Sequence, residues 1–216
     1  MTASNINYQD KYETGLAQSQ LVQQSEGFAK LRTLKSPRVL ELGTLRSLTD
    51  RSTMHHEQIP NASEYLGTDI AEGEDVDIVA DAHKLSSVVG ESQFDVIVSC
   101  STFEHLKYPH VAGHEIMKVL KPNGFVFIQT HQTYHLHGYP HDYFRFSREA
   151  LMGIFNPKMG MEVDEAHTGY QHPCEIHSKV PGLRPPWSVG TTFLNVYLLA
   201  QKIGPTPEEY QYDLDI

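Results

Sequence analysis

The sequence predicts an α/β fold in which a parallel sheet carries helices on both faces. Three observations predict it. Between residues 37 and 130 there are five short apolar runs, β-branched or aromatic, each bounded by turn residues, the pattern of buried parallel strands. A stretch of helical periodicity separates the fourth run from the fifth. The residues that follow the runs are small or acidic. In open α/β sheets such positions, at the carboxyl ends of strands, are where ligands sit.

Residues 1–36 are polar and rich in Gln and Ser, with Val22, Phe28, Leu31 and Leu34 at three- and six-residue intervals. That spacing predicts an N-terminal helical extension, either a packing helix or a lid over a site. The main domain is expected over 37–204. Its runs are Arg38 to Gly43, Tyr65 to Ile70, Val76 to Ala80, Phe94 to Ser99 and Gly124 to Thr130. The gap between the first two leaves room for a helix before Pro60. Ala112, Ile116, Val119 and Leu120 mark one face of a helix that Lys121-Pro122-Asn123-Gly124 stops. Ser147 to Phe155 reads as a helix with Ser147 as its N-cap. Met161 to His167 reads as a strand and Thr191 to Gln201 as a long one. Between them, residues 171–190 read as an irregular insertion with four prolines and the only tryptophan. Residues 205–216 hold four acids and no Lys or Arg, and are expected as an acidic flexible tail.

The chain has 216 residues, a length that suits one domain. Lys plus Arg is 17 against 27 acids, giving a net charge of −10. That balance argues against a nucleic-acid partner, whose affinity rests on Lys and Arg at phosphates, and against an anionic membrane surface. Two cysteines make no disulfide framework or zinc-finger spacing. No signal peptide or membrane-length apolar stretch is visible, so a cytoplasmic setting is the expectation.

The strand ends carry the chemistry. The first run ends Glu41-Leu42-Gly43-Thr44, where Gly43 allows a tight turn and close ligand approach. The second ends at Asp69, an acceptor-only carboxylate able to take both vicinal hydroxyls of a ribose. The third leads to Asp81-Ala82-His83, where a carboxylate and an N–H can meet an adenine edge. The fourth leads to Ser99-Cys100-Ser101 and then Phe103-Glu104-His105-Leu106.

Taken in order, RVLELGT, YLGTDI, VADAHKL, FDVIVSCSTFEHL and EIMKVLKPNGFVFIQT resemble the class I S-adenosylmethionine-dependent methyltransferases over roughly residues 36–202. The resemblance implies a Rossmann-like, seven-stranded, mostly parallel sheet whose last strand, Thr191 to Gln201, is antiparallel. It implies S-adenosyl-L-methionine as methyl donor and S-adenosyl-L-homocysteine as product. Carried over by residue, Asp69 would hold the ribose, Asp81 and Ala82 the adenine, and Glu41, Gly43 and Ser99 the methionine end. Thr44 and Ile70 complete the set. One departure is clear. The family has two or three glycines after the first strand, and this chain has Gly43-Thr44-Leu45-Arg46-Ser47, with one. Side chains 45 and 47 must then point away from the cofactor. Arg46 reads either as a partner for the cofactor carboxylate or as a solvated charge. The absent G-x-G-x-x-G disfavours a nucleotide-dependent oxidoreductase.

The acceptor is expected after the fifth run, in the stretch from Thr130 to Phe146. Its segment Gly-Tyr-Pro-x-Asp-Tyr-Phe-Arg-Phe resembles one found in methyltransferases of glycan and natural-product pathways. Tyr139 and Tyr143 could stack on a small-molecule acceptor, and Asp142 could accept from its hydroxyls. Seven of the 13 histidines lie between His105 and His141, and three readings stay open for them. One is a general base: His131 first, with His105 and His141 behind it. A second is a divalent metal held by His131, His135, His137 or His141 with Asp142. The third is ordinary loop hydrogen bonding. The spacing H-x-x-x-H-x-H is no metal signature, so no residue is assigned as a metal ligand. The leading function is O-methylation of a sugar or secondary metabolite. A cofactor-binding but inactive scaffold is the alternative, and oligomerisation stays open.

Overall fold

The computed structural model describes residues 24–46, 52–177, 179–181 and 189–212. Residues 1–23 lie outside the described residues, so of the N-terminal extension only helix α1 (Gln24–Leu31) can be placed.

Five parallel strands form the body of the sheet: β1 (Arg38–Leu42), β2 (Glu64–Asp69), β3 (Ile78–Val79), β4 (Phe94–Cys100) and β5 (Leu120–His131). Their order is β3-β2-β1-β4-β5, followed by β8 (Val189–Lys202) and β6 (Met161–Val163). β8 runs antiparallel to β5, as the resemblance implied. An eighth strand, β7 (Gly169–His177), also pairs with β8. It falls where the sequence reads as an irregular insertion. Its outer residues are polar and exposed, and Pro173 is tolerated only because the strand is an edge, so hydrophobic alternation could not announce it. Met161 to His167 is a strand only to Val163; a 3-10 turn follows at Glu165–His167.

Alternation along each strand divides the core in two. Leu40, Leu42, Phe94, Ile97, Val126, Ile128, Leu198 and Ala200 face one side. There they meet α3 (Pro109–Val119) and α4 (Arg148–Ile154). Val39, Val96, Val98, Phe125, Phe127 and Leu199 face the other, under Phe28 and Leu31 of α1. Phe28 packs on Phe127 with ring centroids 4.6 Å apart, so the described part of the extension is a packing helix. Between β1 and β2 the described residues hold a 3-10 turn, His56–Gln58.

Two close approaches fix the helical layer. Gly113 of α3 lies against Ile154 of α4, and a side chain there would overlap Ile154 Cγ2. Glu115 accepts from the Ser86 N–H at 2.8 Å, in short helix α2 (Leu85–Val89), and from Lys118 Nζ at 2.8 Å. Ser147 caps α4, its Oγ accepting from the Ala150 N–H at 3.1 Å. The tail departs from expectation over 205–212. Thr206 Oγ1 donates to Met117 O, His114 Nε2 to Pro207 O, and the Tyr210 hydroxyl to Gly153 O. Two of these bonds go to helix-end carbonyls and one comes from a histidine of α3, which charge patterning cannot foresee. Residues 213–216 lie outside the described residues.

Lys202, nearly buried at the end of β8, donates to Met117 O at 2.6 Å and Leu120 O at 2.9 Å. It satisfies carbonyls left open at the C-terminus of α3 and complements that end of the helix dipole. Burial lowers its pKa. Lys202→Met keeps the aliphatic stem and removes both bonds. The variant is expected to lose about 1.5–3 kcal/mol of unfolding free energy, seen as a lower urea midpoint at constant slope. An unshifted midpoint would show that the two carbonyls do as well without the ammonium.

Candidate active site

Strand order reverses between β1 and β4, and the crevice outside their carboxyl ends is where an open α/β sheet binds its ligand. Gly43 follows β1 with φ +80°. A methyl on it would overlap Thr102 Oγ1, so both backbone conformation and space demand glycine here. Its N–H donates to Thr68 O at 2.8 Å. The next residues take their path from side chains instead of more glycines. The Leu45 N–H donates to Asp69 Oδ2 at 3.1 Å, while Asp69 Oδ1 accepts from the Ile70 N–H at 2.7 Å. Leu45 turns outward over Gly73; position 47 lies outside the described residues. Arg46 forks onto Asp75 with two 3.0 Å bonds and reaches Glu74 at 2.9 Å. Of its two readings, the guanidinium is engaged within the protein.

Asp81 caps the turn after β3. It accepts from the His83 N–H at 2.9 Å and faces His83 Nδ1 at 2.7 Å. His83 Nε2 accepts from the Tyr108 N–H, so Nδ1 carries the proton and donates to Asp81. Burial pushes the Asp81 carboxyl up, but the His83 bonds prevail and hold it below its usual range. Ala82 follows in the same turn. Among the described residues, the hydroxyls of Thr44, Thr68 and Ser99 are buried without a hydrogen-bond partner. Unpartnered buried polar atoms cost roughly 1–3 kcal/mol each. Three of them beside Asp69 and Asp81 suit a polar ligand along these strand ends, and the set fits a nucleoside with an amino-acid arm.

Glu41 is the exception among the expected cofactor residues. It shares a sheet face with Val39 and is buried. His55 Nδ1 and N–H and the Tyr65 hydroxyl fill its oxygens at 2.7–2.8 Å. Burial, then the Glu41 charge, pushes the Tyr65 pKa well above its ordinary value. Glu41 therefore anchors the segment before the His56–Gln58 turn, and does not face the methionine end of the crevice.

One strand over, the chain after β5 folds back onto the turn after β4. The Tyr143 and Phe144 N–H groups donate to Glu104 O, and the Phe146 N–H to His131 O. Gly138, at φ +62°, lies so close to the His105 ring that a side chain would meet Cε1 at 2.7 Å. At the centre is Glu104, fully buried, with Oε2 accepting from Thr130 Oγ1 at 2.6 Å. Its Oε1 accepts no hydrogen bond from any of the described residues. Three imidazoles surround that oxygen: His131 Nε2 at 3.1 Å, His137 Nε2 at 3.7 Å and His105 Nε2 at 3.9 Å. Burial holds the His131 pKa below its ordinary value, against the pull of Glu104. Tyr134 stacks on His131 at 4.3 Å.

The structure thus brings His131 and His105 together. It adds Glu104, His137 and Tyr134, which the sequence reasoning did not assign to the site. Their signal lay in the acidic-His turn and the crowded loop, but only the fold-back at Gly138 joins the two. His141 points elsewhere, its Nδ1 at 3.0 Å from the Tyr143 hydroxyl. Tyr139 is 94% exposed, away from the cluster. Asp142 is a brace: Arg145 takes both its oxygens and the His137 N–H donates to one. The Arg145 bonds hold its carboxyl far below the usual range.

A model of the methyltransferase domain matches residues 51–128, the span from the first loop through β5. The match spans 78 of the 216 residues and makes that segment similar to a methyltransferase domain. Solved structures share the fold of this chain at low identity. A SAM-dependent methyltransferase from Archaeoglobus fulgidus is 16% identical, with 91% of this chain and 100% of that one covered, at a TM-score of 0.55. The YcgJ protein from Bacillus subtilis is 13% identical, covering 82% and 97%, at 0.53. The 1,6-didemethyltoxoflavin-N1-methyltransferase from Burkholderia thailandensis, solved with S-adenosylhomocysteine, is 11% identical, covering 91% and 87%, at 0.51. No curated protein matches this chain by sequence.

Two outcomes test this geometry. Gly43→Ala is expected to destabilise, and Thr102→Ala to relieve part of the damage, with a coupling of about 0.5–3 kcal/mol in a double-mutant cycle. Additive effects would separate the two residues. Asp142→Asn is expected to lower the thermal midpoint at pH 7. A carboxyl with a depressed folded pKa contributes stability above its unfolded value, about 3.9, and loses it as the pH falls through the folded value. The gap from wild type should therefore narrow below about pH 4. A constant gap would assign the loss to packing alone.

Proposed function

We propose that the enzyme methylates a hydroxyl of a small-molecule acceptor, a sugar or secondary metabolite, using S-adenosyl-L-methionine. The observation that carries this reading is the group of imidazole Nε2 atoms around Glu104, at the carboxyl end of β5 beside the cofactor crevice. A hydroxyl needs a base for methyl transfer, and imidazole is the group suited to neutral pH. A carboxylate or thiolate acceptor needs no such base. Asp69 accepts from the ribose hydroxyls, Asp81 and Ala82 meet the adenine, and Thr44 and Ser99 lie toward the methionine end near Gly43. The structural neighbour with bound S-adenosylhomocysteine supports the donor.

The acceptor lies between the crevice and the loop of residues 131–146. Tyr134, Tyr143 and Phe144, each partly exposed, offer faces for a sugar or aromatic ring. The acceptor oxygen attacks the methyl carbon in line as the carbon–sulfur bond breaks. Its proton passes to an imidazole Nε2 of the Glu104 group. Most of the rate then comes from positioning, with proton transfer adding roughly 10²–10⁴-fold.

Asp69→Ala should raise the dissociation constant for S-adenosylhomocysteine roughly 10–100-fold, the loss of a charged hydrogen-bond acceptor, as read by calorimetry. His131→Ala should lower kcat by about 10²–10⁴ in a radiolabelled-methyl screen of acceptors, with that dissociation constant unchanged. Binding without turnover on any acceptor would favour the scaffold reading. A normal rate in His131→Ala would remove the cluster from the reaction.

A further inference from the structure

Among the described residues, three groups bring His, Cys, Asp or Glu ligand atoms within 4.8 Å of one another. In Glu41–His55–Cys100, donors from His55 and Tyr65 already fill the carboxylate. In His105–His137–Asp142, the carboxylate belongs to Arg145 and the His137 N–H. The third, Glu104–His131–His137, differs in where its protons lie.

His137 Nδ1 faces His135 O at 3.1 Å, and His105 Nδ1 faces His141 O at 2.7 Å. A carbonyl only accepts, so both rings carry a proton on Nδ1, and the neutral ring then has its lone pair on Nε2. His131 Nδ1 faces Asn195 Oδ1 at 3.0 Å in the same arrangement. Three lone pairs thus converge on a buried carboxylate oxygen that accepts no hydrogen bond. Negative and lone-pair density gathered in the interior with no donor between is repulsive; a cation at the centre makes it attractive.

We propose that Glu104, His131 and His137 form a binding site for one divalent transition-metal ion of the zinc type. Ligands of a tetrahedral ion held at 2.0–2.1 Å lie about 3.3 Å apart, and Glu104 Oε1 has the two Nε2 atoms at 3.1 and 3.7 Å. Two imidazoles and a carboxylate make a His2Glu set, the kind that leaves one position open for water or substrate. Imidazole ligands select zinc, cobalt or nickel over magnesium and calcium. The outer bonds are in place as well: Asn195 and His135 O orient the rings, and Thr130 Oγ1 holds Glu104 Oε2. His105 Nε2 stays outside the set as a remaining lone pair. Were the open position to take the acceptor oxygen, which rests on the function proposed above, the proton would pass to His105 Nε2, because His131 and His137 would hold the ion; metal binding itself does not rest on that function.

The test uses the full chain, dialysed against chelator, with no methyl donor or acceptor present. Zinc should be retained at one ion per chain after gel filtration, by elemental analysis. Cobalt should titrate to one equivalent with visible ligand-field bands. His137→Ala and Glu104→Gln should each weaken metal affinity by at least about 10-fold while binding S-adenosylhomocysteine as wild type does, which certifies the fold. Should Glu104→Gln fail to fold, His137→Ala decides. Sub-stoichiometric zinc without ligand-field bands, or wild-type affinity in His137→Ala, would overturn the site. Failure of the methyl-transfer reading shows separately, as absent turnover in a chain that still holds its ion.

Discussion

Burial of the Glu104 carboxylate is the constraint around which the loop of residues 131–146 is arranged. Its backbone oxygen takes two N–H groups from the returning loop, at Tyr143 and Phe144, and its Oε2 takes the Thr130 hydroxyl. A charge taken from water is expensive unless its lone pairs are used, so everything near it must serve it. The loop cannot open without stripping the bonds to the Glu104 backbone oxygen. Gly138 lets the loop come close enough, and the Asp142–Arg145 pair keeps it there. A loop rich in polar groups thus behaves as a rigid element.

The cofactor half is ordered differently. Parallel strands set the frame, and a single glycine turn begins the first loop. Order beyond Gly43 then comes from discrete bonds: Leu45 to Asp69, and Arg46 to Asp75 and Glu74. A glycine-rich loop gains its path from conformational freedom and loses entropy when it is fixed. Here side chains hold the path instead.

Much of the first half was legible because its signals are local. Strand, Gly43, strand, Asp69, strand, Asp81 is a chemical sentence read in one direction. Ser147 as a cap needed only its neighbours. The misses are non-local. β7 is polar and lies at an edge, where burial does not discipline composition. Residues 205–212 dock through carbonyls at the ends of α3 and α4, a property of helix termini and not of the tail. Glu41 looked like a ligand-facing acid, yet the pleat puts it beside Val39 under α1. Glu104 and His137 stand 33 positions apart in sequence, and nothing in either neighbourhood says that they meet.

β8 joins these halves in a further way. Its last residues pair with β5 and β6 inside the core, while its first run out with β7 beyond the end of β5. Asn195 stands at the junction, opposite His131 on one side and Gln171 on the other, and it holds His131 Nδ1. The hairpin is therefore a lever with its fulcrum at the residue that aims the imidazole. A shift of its outer arm would be felt as a rotation of the His131 ring. The seating of this edge hairpin and the aim of that imidazole are, in this architecture, one mechanical variable.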